Sequence, residues 1–216
     1  MKKRLINFKF IMTIAIIEIL CYMAVDMYLA SMTDISEYFG TSYSKVQLSL
    51  TFYLFAMGIG QLFFGPIIDF FGRKIPLILG ISLYALCSFA ITTSSNIELF
   101  LLYRVVQGLG VALIYVCLIS MVRDVSKGKV AAKIFAILIT IGAITPILAP
   151  AIGGYIDQVF GWKAVFYLLF ILAILVVVLS LFTLQETLKK EKKVTIDFKN
   201  IFMLLVHRQG SFLLLF

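Results

Sequence analysis

The chain has 216 residues, of which 62% are hydrophobic and 14% are charged, and its formal net charge is +8. A soluble domain of this length cannot bury so much apolar surface, so the composition excludes a soluble globular protein and indicates an integral membrane protein. The three cysteines, Cys21, Cys87 and Cys117, lie in apolar runs and lack the spacing of metal ligands. We therefore expect small core residues there and no metal site.

Six apolar runs are long enough to cross a bilayer as helices of about 20 residues each. They cover residues 10–29, 46–64, 75–93, 99–122, 134–156 and 164–185. The predicted fold is an all-α membrane protein with six transmembrane helices in a domain of residues 1–185, followed by a cytoplasmic linker at 186–210. Residues 211–216 are apolar again but span only about 9 Å as a helix, so we expect a truncated start of a seventh helix there.

The basic residues indicate which side of the membrane each loop faces. Of the 19 Lys and Arg residues, 16 lie before the first span, after the sixth, or in the loops that follow the second and fourth. By the positive-inside rule the N-terminus and these loops are cytoplasmic, which accounts for the basic excess without a nucleic-acid partner. A signal peptide would also begin with a basic segment, but the first apolar run is too long, contains Glu18 and lacks a small-residue cleavage site.

The first apolar run carries two carboxylates, Glu18 and Asp26. One ionised Asp at the centre of a bilayer costs roughly 2.5 to 3.5 kcal/mol on insertion scales, so such residues usually have a function or a partner. Eight residues separate the two, which places them about 12 Å apart in depth and roughly 80° apart around a helix. We therefore expect both side chains to face one cavity wall.

A glycine-rich signature follows the second span. Its residues are Gly65, Asp69, Gly72, Arg73 and Lys74, in the order Gly-x-x-x-Asp-x-x-Gly-Arg-Lys. Glycines permit a tight turn and close helix contact, and the acidic residue offers an acceptor for a charged network. An ordinary cytoplasmic loop explains the basic residues but not the spacing of the others. The pattern resembles the loop signature of the major facilitator superfamily, although Phe70 stands where that family often has Arg.

The fourth span contains a second pattern, Arg104-x-x-Gln107-Gly-x-Gly, which is similar to another signature of this superfamily. Arg104 lies about 8 Å below the outer end of its span, between the depths of Asp26 at about 5 Å and Glu18 at about 17 Å. We therefore expect Arg104 to be a partner of the carboxylates. The alternative is an arginine whose side chain reaches the outer interface.

The fifth span carries small and helix-bending residues at short intervals, namely Gly142, Pro146, Pro150, Gly153 and Gly154. Such a series favours close helix packing and a kink, as in many membrane proteins. It also resembles the signature of proton-coupled exporters in the same superfamily, with Ala149 in place of the expected glycine.

Further segments resemble the drug:proton antiporter branch, which includes bicyclomycin-, chloramphenicol- and multidrug-resistance exporters. They are Asp26-Met27-Tyr28-Leu29, Arg123-Asp124 and Glu186-Thr187-Leu188. The resemblance implies two inverted three-helix repeats, which form the N-terminal half of a transporter in the bacterial inner membrane. It also implies proton-driven efflux of drug-like lipophilic molecules by alternating access, with no cofactor and with a C-terminal six-helix half as the missing partner.

The resemblance implies a proton-coupling role for Glu18 and Asp26, and the types and positions of other side chains lead to further hypotheses. Glu18, Asp26 and Arg104 would couple transport to protons. Cavity walls would come from Tyr22, Tyr53, Gln107 and Tyr115. A cytoplasmic latch, which stabilises one orientation of the transporter, would consist of Asp69, Arg73, Arg123, Asp124 and Glu186.

Two other functions fit the composition. The chain would be a truncated fragment without transport activity, or a six-span accessory subunit, if no second half closes the cavity. A membrane-embedded enzyme is disfavoured because the lone His207 lies in the terminal segment and no nucleophile has a nearby base.

Overall fold

The computed structural model describes residues 8–188, and every regular element in that range is helical. The elements are α1 (Phe8–Asp26), a 3-10 helix (Met27–Ser31), α2 (Met32–Tyr38), α3 (Tyr43–Phe71), α4 (Lys74–Thr92), α5 (Ile97–Val125), α6 (Gly128–Phe160) and α7 (Trp162–Thr183).

Six helical segments in this range are long and apolar enough to cross a membrane, and the first runs from Phe8 through the 3-10 helix to Tyr38. The predicted all-α membrane fold with six spans is therefore confirmed. The last span ends at Thr183, two residues before its predicted end. Most of the predicted linker and the predicted start of a seventh helix lie outside the described residues.

The first span differs from the continuous helix that its apolar run predicts. The α-helix ends at Asp26, and a 3-10 helix continues to Ser31. No proline or glycine marks this change in the sequence. The change coincides with a tertiary contact, because Gly153 of α6 packs so closely on the backbone carbonyl of Met27 that no β-carbon fits between them.

The C-terminal end of α3 corrects a second prediction. Helix α3 continues through Gly65 and Pro66 to Phe71, so the loop predicted to begin at residue 65 is wrong. Membrane helices tolerate an internal proline because neighbouring groups satisfy the freed carbonyl. The turn is reduced to the residues around Gly72, whose φ of 96° is accessible to glycine without strain. A β-carbon on Gly65 would meet no other part of the described chain within 4 Å, so close helix packing does not require a glycine there.

The packing pattern relates the first three spans to the last three. Helix α3 of the second span packs on α5 of the fourth, and α6 of the fifth span packs on the first span. If spans 1, 2 and 3 are matched to spans 4, 5 and 6, the contact between spans 2 and 4 corresponds to the contact between spans 5 and 1. The third and sixth spans, α4 and α7, correspond to each other and pack together. Two related three-helix units give this pattern.

Small residues allow the closest of these crossings. A β-carbon on Gly80 would lie 2.9 Å from the carbonyl oxygen of Gly110, and one on Gly60 would lie 2.6 Å from the β-carbon of Ala112. Small residues at helix contacts let the backbones approach, which is how membrane helices gain packing energy. The buried core accordingly lies where α5 crosses α3 and α4.

Helices α3 and α6 are the least covered by the rest of the chain. In the most apolar stretch of each of these two helices only 17% of the residues are buried, compared with 56% in α4 and in α5. Their exposed side chains are mainly large and apolar, including Phe55, Phe63, Ile147 and Tyr155. These surfaces require an apolar environment, as a lipid bilayer provides.

Candidate functional site

A cavity of about 410 Å³ lies between α1, α5 and α6. Most of its wall is apolar, and its polar groups are one carboxylate, two tyrosines and one arginine. The lining residues are Glu18, Tyr22, Tyr115, Leu118, Ile119, Arg123, Phe135, Leu138 and Ile139. Four of the predicted site residues, Glu18, Tyr22, Tyr115 and Arg123, therefore line one cavity.

Glu18 is the buried charge of this cavity. The residue is 7% exposed, and the described part of the chain gives its carboxylate no hydrogen bond or ion pair. A buried carboxylate without a partner is costly in its ionised form, so the site favours either a bound proton or a bound cation.

The two tyrosines of the cavity contact each other. The ring of Tyr22 meets the ring of Tyr115 edge to face, with 6.4 Å between the centroids. Tyr22 lies one helical turn beyond Glu18 on the same face of α1. Its hydroxyl fills the space at Gly142 of α6, where a β-carbon would lie only 2.5 Å from the hydroxyl oxygen. Gly142 therefore sets the position of an aromatic wall next to the carboxylate.

Arg104 lies in a separate, fully buried polar cluster between α1, α3, α4 and α5. Its Nη1 donates to the carbonyl of Ala24 at 3.1 Å and to Oε1 of Gln107 at 2.6 Å. The amide of Gln107 in turn donates to the hydroxyl of Ser88 at 2.8 Å. Carbonyls in the last turn of an α-helix lack intrahelical partners. Because α1 ends at Asp26, the Ala24 carbonyl can accept from Arg104.

Two tyrosines enclose the guanidinium of Arg104. Its central carbon lies 4.1 Å from the ring centroid of Tyr28 and 4.4 Å from that of Tyr53. Tyr53 and Gln107 are themselves fully buried and do not line the cavity that holds Glu18. The structure thus divides the predicted wall residues: Tyr22 and Tyr115 line the cavity, whereas Tyr53 and Gln107 hold Arg104.

Arg104 and Asp26 both retain unused polar atoms. Within residues 8–188, Nε and Nη2 of Arg104 and Oδ2 of Asp26 are buried without a hydrogen-bond partner. In this conformation Arg104 forms no ion pair with Asp26 or Glu18, and Asp26 does not line the cavity. The expected pairing of Arg104 with the carboxylates stays a prediction.

The C-terminal ends of α3, α5 and α7 and the N-terminal end of α4 meet in a charged cluster. Arg73 bridges two carboxylates: Nη2 lies 2.7 Å from Oδ1 of Asp69, and Nε lies 3.1 Å from Oδ2 of Asp124. The hydroxyl of Thr187 also donates to Asp124, at 3.2 Å. Three separate helices are joined through one arginine, which is a suitable arrangement for a latch.

Glu186 extends the cluster to the start of α4. Its carboxylate accepts the backbone N–H groups of Arg73 at 3.0 Å and Lys74 at 3.1 Å, and that of Leu188 at 2.8 Å. Partial burial raises the pKa of this carboxyl, but the backbone donors outweigh that effect and hold the pKa below its ordinary value of 4.5. Glu186 is therefore ionised at neutral pH and caps the helix.

Arg123 of the predicted latch, and the glycines and prolines of the exporter-type signature in α6, lie outside the charged cluster. Arg123 forms no ion pair in the described chain and lines the cavity with Glu18. On α6, Gly153 contacts the Met27 carbonyl, and a β-carbon on Gly154 would lie 3.3 Å from that of Ala30. Pro146 and Pro150 lie within α6 between Gly142 and Gly153.

No group of three or more potential metal ligands occurs among residues 8–188. The polar groups that the structure brings together are a buried carboxylate in a cavity, an enclosed arginine and a charged cluster at the helix ends.

Comparison with known proteins identifies the family to which this arrangement belongs. The sequence profile of the Major Facilitator Superfamily matches residues 14–216. The chain belongs to the major facilitator superfamily. A bicyclomycin resistance protein homolog of Haemophilus influenzae is 35% identical over 188 residues, which cover 87% of this chain and 47% of that protein. The multidrug resistance protein MdtL of Shewanella oneidensis is 34% identical over 77% of this chain and 42% of its own length.

Solved structures of superfamily transporters share the fold. The proton:xylose symporter XylE superimposes with a TM-score of 0.73 at 16% identity, over 83% of this chain and 45% of that protein. The chain thus spans about half the length of the superfamily proteins it matches.

Proposed function

We propose that the chain forms the N-terminal half of a proton-coupled exporter of drugs or other small lipophilic molecules. We place it in the bacterial cytoplasmic membrane with its N-terminus in the cytoplasm. The observation that carries the proposal is Glu18, a carboxylate that is 7% exposed and lies in the wall of a largely apolar cavity. The similarity to drug-resistance proteins supports the substrate class.

The chemistry of the cavity supports competition between a proton and a cationic molecule. Protonated Glu18 is neutral and compatible with apolar surroundings, whereas ionised Glu18 requires a positive charge nearby. A lipophilic cation supplies that charge, and its apolar body fits against Tyr22, Tyr115 and the aliphatic wall. Binding of the drug therefore displaces the proton. The opposite exchange on the other side of the membrane completes an antiport cycle by alternating access.

Asp26 and Arg104 form the second part of the proposed coupling. Arg104 has two free N–H positions, and the unused carboxylate oxygen of Asp26 lies at the end of the helix that Arg104 already contacts. Ionised Asp26 attracts the guanidinium, and protonation of Asp26 releases it to the Ala24 carbonyl. The proton gradient is the driving force in this proposal, and no cofactor takes part.

The test is an efflux assay with the complete protein that the gene encodes, expressed in bacteria that lack their own pumps. Cells are loaded with a cationic fluorescent drug, and efflux is followed with and without a protonophore. We expect the protonophore to stop efflux by the wild type. Glu18→Gln should slow efflux about tenfold or more, because it removes the charge that the cation contacts.

Glu37→Gln is the matched control, because Glu37 lies exposed on α2 and its loss should leave efflux unchanged. Efflux that persists with the protonophore contradicts proton coupling. A complete protein that reaches the membrane without causing efflux favours the alternative of a non-transporting fragment or accessory subunit.

A further inference from the structure

Arg123 is a cation in the wall of the cavity, and no residue among 8–188 forms an ion pair or hydrogen bond with its side chain. It is exposed near the cytoplasmic end of α5 and lines the cavity that contains Glu18. The neighbouring Asp124 is engaged by Arg73, but Arg123 forms no ion pair or hydrogen bond within residues 8–188. The cavity therefore presents one free negative and one free positive side chain.

The two charges lie at different depths. Tyr115 touches Tyr22, and Arg123 follows Tyr115 by eight residues, or about 12 Å along α5 towards the cytoplasm. Glu18 precedes Tyr22 by four residues, or about 6 Å along α1 in the same direction. Arg123 is thus about 6 Å nearer the cytoplasm than Glu18, and the two side chains do not pair across the cavity.

The wall between the charges is apolar. Leu118, Ile119, Phe135, Leu138 and Ile139 line it. A molecule that contacts both charged ends must therefore have a lipophilic middle, a cationic group for Glu18 and an anionic group for Arg123.

We propose that Arg123 is a specificity-determining residue that selects zwitterionic lipophilic molecules, whose anionic group it binds at the cytoplasmic end of the cavity. This inference rests on the proposed function for its place in transport. Membrane orientation alone does not explain the residue, because Lys127 before α6 and Lys129 and Lys133 at the start of α6 already supply positive charge at the same end of the helices, and none of them lines the cavity.

The test compares two dyes that differ in a single group. Rhodamine B is a lipophilic zwitterion, and its ethyl ester is a cation of nearly the same shape. Binding of each dye to the purified complete protein is measured by fluorescence anisotropy without a proton gradient. We expect the wild type to prefer the carboxylate dye, and Arg123→Gln to reduce that preference about tenfold while binding of the ester stays unchanged.

Three further variants control the experiment. Arg123→Lys keeps the charge and should retain most of the preference. Lys129→Gln removes a charge at the start of α6, outside the cavity, and should leave both affinities unchanged. Glu18→Gln should weaken both dyes by a similar factor, because both carry the cationic group.

Equal weakening of both dyes by Arg123→Gln contradicts the inference, since it indicates a structural role. An unchanged preference, an equal effect of Lys129→Gln, or no binding of either dye by the wild type also contradicts it. A protein with the expected preference but no efflux contradicts the proposed function alone.

Discussion

Replacement of Glu186 by Gln tests the charged cluster most directly. The carboxylate accepts hydrogen bonds from the backbone N–H groups of Arg73, Lys74 and Leu188. Two of these donors belong to the start of α4, where a negative charge also interacts favourably with the helix dipole. Gln keeps one acceptor oxygen but loses the charge and the second acceptor.

The expected loss follows from these contacts. A side-chain cap is worth about 1 kcal/mol, and a charge near a helix terminus about 0.3 to 1 kcal/mol. Because Glu186 is solvent-accessible, the lower end of the range for the charge applies. Glu186→Gln should therefore reduce the free energy of unfolding by about 1 kcal/mol. For a domain of this size that corresponds to a decrease in Tm of about 2 to 4 °C.

The dependence on pH separates a charge effect from a packing effect. The pKa of Glu186 is lowered in the folded protein. Its contribution to stability is therefore complete above the ordinary value of 4.5 and is lost as the pH falls below that value. We expect the Tm difference between wild type and Glu186→Gln to be full at pH 7 and to disappear under acidic conditions.

The assay is thermal unfolding of the purified complete protein in detergent over a series of pH values. Glu37→Gln, an exposed change of the same type, should have no effect at any pH. A Tm difference that is absent at pH 7, or constant across the acidic range, would refute the assignment of Glu186 as an ionised cap.

Two comparisons in the same assay test other contacts. Asp124→Asn should lower the free energy of unfolding by about 1 to 2 kcal/mol, and Asp69→Asn by about 0.5 kcal/mol. The Asp124 side chain is less exposed, at 26% compared with 49% for Asp69, and equal losses would contradict this ranking. Gly153→Ala should cost about 1 to 3 kcal/mol, because its β-carbon would overlap the Met27 carbonyl. Gly58→Ala, with nothing within 4 Å, should be neutral or stabilising, and a larger loss there than at Gly153 would contradict the packing account.

The number and order of the spans could be predicted because bilayer thickness imposes a length that apolar composition reveals directly. The interruption after Asp26 could not be predicted in this way. It coincides with the approach of Gly153 to the Met27 backbone, a contact between residues far apart in sequence. The continuation of α3 through Gly65 and Pro66 was missed because that dipeptide favours a turn in soluble proteins but is tolerated within a membrane helix.

The candidate site shows the same limit. Residue spacing predicted that Glu18 and Asp26 face one cavity wall, whereas the cavity contains Glu18 with Tyr22 and Tyr115 but not Asp26. Residue spacing did not predict that Tyr53 and Gln107 contact Arg104 instead of lining the cavity, because these contacts depend on how α3 and α5 cross. Arg123 precedes Asp124 directly, so sequence placed both in one cluster. The helix turns about 100° between adjacent residues and separates them.

The central claim, that Glu18 and Asp26 carry the transported proton, is tested by drug-induced proton release from the purified complete protein in a weakly buffered, dye-monitored solution. The proposal predicts release from the wild type on addition of a cationic drug. It also predicts reduced release from Glu18→Gln and from Asp26→Asn, with wild-type release from Glu37→Gln. Undiminished release from both variants would contradict the assignment.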